Sequence, residues 1–449
     1  MNKINKIAIY QCLNQLAVIM LINILPVFGF SQSKNDSLLP DVTLQQAVQY
    51  AIKKNPGLRN AALQQQITET TIKSKLAEWF PQLNFNYSLQ HNFQLPVINF
   101  NGQNISTGFP NTSGAQFGAT QSIFNRDVLL ASRTAADIRL QSAQTTTEQK
   151  INIAATVSKA YYDIILTLQQ IKVIDEEISR INLSLKNAFY QYQSGIVDKT
   201  DYKRATISLN NALAQKQNGE QSLSGKYAYL KELMGYPQQS MISLKYDTVK
   251  MKNDISIDTL QPVNYNNRIE IQLLQTQKNL QQYNLKYNQW SFLPNVSAFG
   301  NYNLNFQNKD FSKVYSTSYP NSYAGLLLSV PIFQGGKRTQ LVKQARLQLE
   351  QVTNSISSTE NFINTQYQRA LASYKSNLFN YNVQKDNVAI AQEVYDVIQL
   401  QYKSGIKTYI EVINAESDLR TAQINYYNAL YQVLSSKVDV EQSLGNIVY

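Results

Sequence analysis

The chain has 449 residues, 41 Lys and Arg against 30 Asp and Glu, a net charge of +11, one cysteine and one histidine. A lone cysteine excludes a disulfide scaffold and a cysteine zinc site. The basic residues are scattered without the cluster that nucleic-acid binding needs, and the polar remainder is rich in Asn, Gln, Ser and Tyr.

Lys3 and Lys6 precede an apolar run from Leu16 to Phe30, which closes on Gly29-Phe30-Ser31. That order predicts a secretory signal over residues 1–31. The run is shorter than the ~20 residues that span a bilayer, and Asn23 and Pro26 interrupt it. Cys12 lies before the run rather than at the cleavage point, so it is not a lipid-modified anchor and leaves with the signal. An exported chain does not meet nucleic acid. No later stretch approaches 18 uninterrupted apolar residues.

A helix is expected from about Asp41-Val42-Thr43-Leu44 to Trp79, where Pro81 ends it. Next, Leu83, Phe85, Tyr87 and Leu89 alternate with Gln82, Asn84, Asn86, Ser88 and Gln90, the period of a strand with one apolar and one polar face. A loop over 94–114 leads to a return strand from Ala115 to Phe124. A long helix is expected over Asp127–Ser194. Its apolar positions Val157, Tyr161, Ile164, Leu168, Ile171, Ile174, Ile178, Ile181, Leu185, Ala188 and Tyr192 recur about every 3.5 residues, as in a coiled-coil seam. Such a rod is ~100 Å long at 1.5 Å per residue, too long for a compact globular domain. A helix over Lys199–Met234 follows, closed by Gly235 and Pro237.

The same order then returns. Gln191-Tyr192-Gln193-Ser194-Gly195-Ile196 reappears as Gln401-Tyr402-Lys403-Ser404-Gly405-Ile406, Phe80-Pro81 as Leu293-Pro294, Ser122-Ile123-Phe124 as Pro331-Ile332-Phe333, and Met234-Gly235 as Leu444-Gly445. Repeats are read before anything else because missing one misassigns the fold. The chain therefore divides into residues 1–31 (signal), 32–235 (first repeat), 236–263 (linker) and 264–449 (second repeat). The second repeat carries helices at about Asn264–Phe292, Lys337–Lys403 and Thr408–Leu444, strands at 295–307 and 323–333, and a loop over 308–322. The two shorter helices of each half stack end to end beside the long one.

The polar strand face is Asn, Gln and Ser with almost no charge, which suits a water-filled lumen, while the apolar set ends in aromatics, which suits a membrane interface. Four strands cannot close a barrel, and an open edge in lipid leaves backbone groups unsatisfied. Copies must pool their strands, and a closed trimer gives twelve. The expected fold class is mainly α with membrane β: internally duplicated, with long coiled-coil helices and four strands per chain that must close with those of other copies.

The sequence resembles the TolC-like outer-membrane efflux proteins of Gram-negative bacteria over essentially all of the exported chain. The resemblance is carried by the duplicated layout, Tyr192-x-x-Gly195 and Tyr402-x-x-Gly405, Phe80-Pro81 and Leu293-Pro294, Val330-Pro331-Ile332-Phe333, and Leu444-Gly445. It implies a homotrimer in outer-membrane lipid, with four strands per chain entering a trimeric twelve-stranded β-barrel and the long coiled-coil helices forming an α-barrel in the periplasm. It also implies docking to a periplasmic adaptor (membrane fusion protein) and an inner-membrane pump or ABC exporter of the type I kind. The helix-tip turns at Gly195 and Gly405 would be the periplasmic entrance. By position, the family's gate falls on Asp201 and Lys407 with the hydrogen-bonding Tyr402 and its repeat counterpart Tyr192. Its cation-attracting ring falls on Glu411 and Asn414. Asn414 lacks the charge, and Lys407 stands where arginine is usual, giving up bidentate geometry. The other reading of these residues is that they are solvated, with Asp201 capping a helix.

No enzyme, cofactor or metal site is expected. His91 has no mature cysteine to join it, and Gly335-Gly336-Lys337 lacks the first glycine of a phosphate loop and reads as a helix-opening turn. Asp175-Glu176-Glu177 reads as a solvated helix face. Trp79 and Trp290 read as interfacial or packing residues. A pore-free periplasmic coiled-coil scaffold or adaptor is the alternative function; it would share the rods but would not need the strands.

Overall fold

The computed structural model describes residues 41–196, 198–245, 251 and 254–447. The expected signal 1–31, with Cys12, lies outside the described residues. The helices are α1 (Leu44–Lys54), α2 (Pro56–Leu76), α3 (Arg126–Gln193), α4 (Lys199–Met234), α5 (Ile269–Gln289), α6 (Lys337–Lys403) and α7 (Tyr409–Leu444). The strands are β1 (Gln82–His91), β2 (Val97–Phe100), β3 (Gln103–Ser106), β4 (Asn111–Phe124), β5 (Asn295–Asn308) and β6 (Ser318–Ser329). Among the described residues no helix is long and apolar enough to cross a membrane, which says nothing of a β-barrel.

Two rods of 68 and 67 residues, α3 and α6, dominate. Along α3 the seam positions Val157, Tyr161, Ile164, Ile174, Ile181 and Ala188 are buried. Helices α1, α2, α4, α5 and α7 pack against α3, and α5 and α7 also pack against α6.

The helix expected to run unbroken to Trp79 is two helices. Pro56 has no N–H to continue α1, and it suits the first position of α2. Asn55 caps α2 by accepting from Leu58 N (3.1 Å), and its amide donates to the Leu233 carbonyl (2.8 Å). The second half builds the same joint differently. Arg268, 3 % exposed, donates to the Ser443 carbonyl (2.7 Å), to Gln366 (3.0 Å) and to Glu270 (2.7 Å). Both joints seat a left-handed glycine, Gly235 (φ 65°) and Gly445 (φ 76°), against backbone.

Midway along the rods, tyrosine hydroxyls pin the connecting segments. Tyr161 donates to the Lys245 carbonyl (2.6 Å), and Tyr374 to the Ile255 carbonyl (2.9 Å). Val42 and Leu244 form a parallel bridge beside them.

The four long strands make one antiparallel sheet in the order β1-β4-β5-β6. Its register aligns Phe85, Phe117 and Tyr302 on one face, and Asn84, Gly118 and Asn301 on the other. On the polar face Asn303 donates to Asn321 (2.7 Å) and Gln116 to Asn301 (3.3 Å). The return strands begin earlier than expected, at Asn111 and Ser318 rather than 115 and 323, because pairing continues to the ends of β1 and near the end of β5. β6 stops at Ser329 rather than 333, since Pro331 has no donor to offer. The loops are also less bare than their composition suggests. β2 and β3 form a separate hairpin, and Phe311–Ser316 is a 3-10 turn.

Candidate gate at the helix tips

The two tips are copies in backbone as well as sequence. Gly195 (φ 74°) and Gly405 (φ 76°) take the left-handed conformation that ends α3 and α6. Ile196 N donates to the Gln191 carbonyl and Ile406 N to the Gln401 carbonyl, each at 2.9 Å. Ile196 and Ile406 are both 72 % exposed.

Tyr402 donates to Gln191 (3.2 Å), linking the second tip to the first, and its ring lies 5.8 Å from that of Tyr409. Burial, then the charge of Asp201, pushes the Tyr402 hydroxyl above its ordinary pKa. Tyr192 instead packs its ring on Tyr202 at 5.6 Å. Below the tips, Ala205, Tyr395, Tyr409, Val412, Ala415 and Leu419 form a buried cluster.

Lys407 pairs with Glu411 (2.6 Å), whose other oxygen accepts from Thr408 N (2.9 Å), closing a capping box at the start of α7. Lys407 and these Thr408 donors hold the Glu411 carboxyl down to about 2. Asn414 is exposed one turn further along. Asp201 sits in the first turn of α4, but the cap is Asp198, which accepts from Thr200 N (3.2 Å). Among the described residues no ion pair joins Asp201 to Lys407 within one protomer.

One site escaped the reading of the sequence. Glu177 is 3 % exposed, not on a solvated face, and accepts from Arg420 (2.9 Å); beside it Arg180 pairs with Glu416 (3.0 Å). This four-charge cluster joins α3 to α7, and Arg180 also lies over the Tyr395 ring at 5.7 Å. Burial pushes both carboxyls up, and the arginines pull them back. Glu177 Oε2, Arg180 Nη2 and Gln423 Oε1 are buried without a hydrogen-bond partner. The signal was the spacing: Glu177 stands three residues after Ile174 and four before Ile181, on the buried stripe. Further along the same seam, Gln170 donates to Asn428 (2.7 Å) and Lys159 pairs with Asp439 (2.5 Å).

The remaining expected residues lie apart from the tips. His91 hydrogen-bonds Asn111 (2.6 Å) at the far end of β1, and Trp79 and Trp290 are half-buried where strands begin. Gly335 and Gly336 have positive φ and open α6, so they form a turn. Among the described residues no three of His, Cys, Asp and Glu converge as metal ligands.

Comparison with known proteins fits this geometry. The profile of the outer membrane efflux protein family matches residues 47–236 and 265–446, one stretch in each half. The outer membrane protein TolC of Escherichia coli K12 is 22 % identical over 437 residues, covering 94 % of this chain and 86 % of its own. Among solved structures, the outer membrane channel CmeC of Campylobacter jejuni superposes with a TM-score of 0.72 at 16 % identity, covering 94 % of this chain and 93 % of its own. The open state of the MtrE outer membrane channel of Neisseria gonorrhoeae gives 0.71 at 16 % identity, with 94 % and 95 % covered. With a matching profile over most of its length, two long rods, and a sheet that has an apolar face, the chain belongs to the outer membrane efflux protein family and is a protein of the outer membrane.

Proposed function

We propose that three copies of this chain form the passive exit duct of a tripartite efflux or type I secretion assembly, closed at its periplasmic end by the helix tips. The observation that carries this reading is the sheet. Its outer strands β1 and β6 each pair on one side only, and its apolar face leaves Leu83, Phe85, Phe117, Tyr302, Leu326 and Leu328 exposed. In lipid each unsatisfied edge group costs several kcal/mol, which ring closure removes. The 14 residues of β4 and of β5 reach about 45 Å at ~3.3 Å per residue, enough to cross the ~30 Å bilayer core at a ~45° tilt. The Asn and Gln face then lines a wet lumen, and the rods continue the tube into the periplasm. A periplasmic adaptor and an inner-membrane pump or ABC exporter supply cargo and energy from below.

In the closed ring, Asp201 of one protomer faces Lys407 of the next, while Tyr402 ties the two tips of its own protomer through Gln191. Glu411 and Asn414 form the ring that meets entering cations, with one carboxylate per protomer partly neutralised by Lys407. An exposed pair contributes up to ~1 kcal/mol. Losing three at once therefore moves the open-to-closed ratio by up to about two orders of magnitude. Single-channel recording in planar bilayers tests this. Asp201→Ala and Lys407→Ala are each expected to raise the resting conductance, and Glu411→Gln to weaken block by multivalent cations. Resting conductance equal to wild type in both gate variants would remove the gate, and purified protein that never conducts would favour a pore-free scaffold.

A further inference from the structure

The turn between β5 and β6 does not hang free. Tyr315 meets the Tyr87 hydroxyl at 2.6 Å and donates to Ser113 Oγ (3.3 Å), and its ring lies 5.2 Å from Phe306. Val314 beside it is 1 % exposed. By register, Tyr87 is opposite Ala115, and Ser113 is opposite both Leu89 and Phe306. All of these stand on the apolar face, so the turn folds over that face and not over the Asn-rich one. It is also built to hold its shape: the Asn111 amide donates to the Lys309 carbonyl (2.8 Å), and Asp310 N donates to Asn308 Oδ1 (3.0 Å). The turn sits at the end of the sheet away from the helices. Toward solvent it offers Phe311 (64 % exposed), part of Tyr315, and the cations Lys309 and Lys313, the latter paired with Asp310 at 3.2 Å.

We propose that residues 309–316 form an interfacial anchor, in which Phe311 and Tyr315 enter the boundary of the outer leaflet while Lys309 and Lys313 engage anionic lipid headgroups. The anchor rests on the reading above that the apolar face meets lipid. Aromatic rings with a polar edge settle at the headgroup level, and lysine stems reach from apolar surface to charge. The apolar face supplies continuity, since a turn lying on a lipid-facing sheet at its outer rim is placed at that boundary by its scaffold. A hairpin needs only two to five residues to turn, so this longer folded turn has room for a task besides closure.

Intrinsic fluorescence of the full chain in proteoliposomes tests the anchor, with Trp79 and Trp290 replaced by Phe. Phe311→Trp and, separately, Tyr315→Trp report on the turn, and Phe85→Trp reports on the middle of the apolar face. Lipids brominated near the headgroup should quench the turn reporters more than lipids brominated deep in the chain, and the order should reverse for Phe85→Trp. Replacing phosphatidylcholine by phosphatidylglycerol should blue-shift the turn reporters, and Lys309→Glu with Lys313→Glu should abolish that shift. Free inorganic phosphate should not reproduce it. Turn reporters quenched by aqueous iodide and by no brominated lipid, with Phe85→Trp still lipid-quenched, would overturn the anchor alone. Loss of lipid quenching at Phe85→Trp as well would overturn the lipid-facing sheet and the anchor together.

Discussion

Arg420→Ala is expected to destabilise the folded protomer by about 3–5 kcal/mol, the cost of leaving a buried charge without its partner. Glu177 has no solvent to turn to, and its second oxygen already lacks a partner. Arg180, the other cation in the cluster, is held by Glu416. The loss carries a pH signature. Burial raises the folded pKa of Glu177 above its unfolded value, so its contribution is most favourable below the unfolded value and is lost as pH rises through the folded one. The deficit of Arg420→Ala is therefore expected to shrink on acidification. Replacing Glu177 and Arg420 together by Leu should be close to neutral, because buried pairs gain little over apolar packing. Thermal unfolding followed by the helix signal in detergent measures all three. A wild-type midpoint for Arg420→Ala at neutral pH would show that water reaches this cluster.

Among the described residues Gly235→Ala should be the most damaging glycine substitution, with Gly445→Ala close behind. The left-handed conformation alone costs an alanine about 1–2 kcal/mol. At Gly235 the added Cβ would also stand 2.6 Å from the Lys54 carbonyl oxygen, and at Gly445 2.9 Å from that of Asn267. Backbone cannot swing aside like a side-chain end, so the joint between stacked helices must open. We expect a total above about 3 kcal/mol, in the range reserved for strain and core disruption. Gly195 and Gly405 provide the control: they share the positive φ, but a Cβ there meets nothing within 4 Å. Equal midpoint losses at the joint and tip glycines would mean that the close backbone approach carries no energy.

The features legible in the sequence were those written as periods or as breaks. The spacing of Val157 to Ala188 gave the long rod, Gly195 and Gly405 gave its turns, and the alternation of Leu83 to Leu89 with Asn84 to Ser88 gave the two sheet faces. What stayed hidden was set by tertiary contact. Glu177 looks like one acid in a solvated triplet until its partner arrives from α7, hundreds of residues away in the chain. Pro56 looks like an interruption to be tolerated until Leu233 arrives to be capped by Asn55. The turn at Phe311–Ser316 lies in a stretch, 308–322, whose Asn, Ser and Pro read as a bare loop, and only Tyr87 and Phe306, supplied by two different strands, give it a surface to fold upon. At the tips, sequence position nominated Asp201 and Lys407, yet a single protomer gives Lys407 to Glu411.

Disulfide trapping between β1 of one chain and β6 of another tests most directly whether separate chains join their sheet edges. With Cys12 replaced, cysteines would be placed on the same face of β1 (Asn84, Asn86, Ser88) and β6 (Asn321, Tyr323, Gly325), and the protein oxidised in outer-membrane vesicles. Joined edges predict at least one pair that yields a ladder of one, two and three chains, ending in a closed covalent trimer. Oxidation that leaves every pair at the mass of a single chain would contradict that joining.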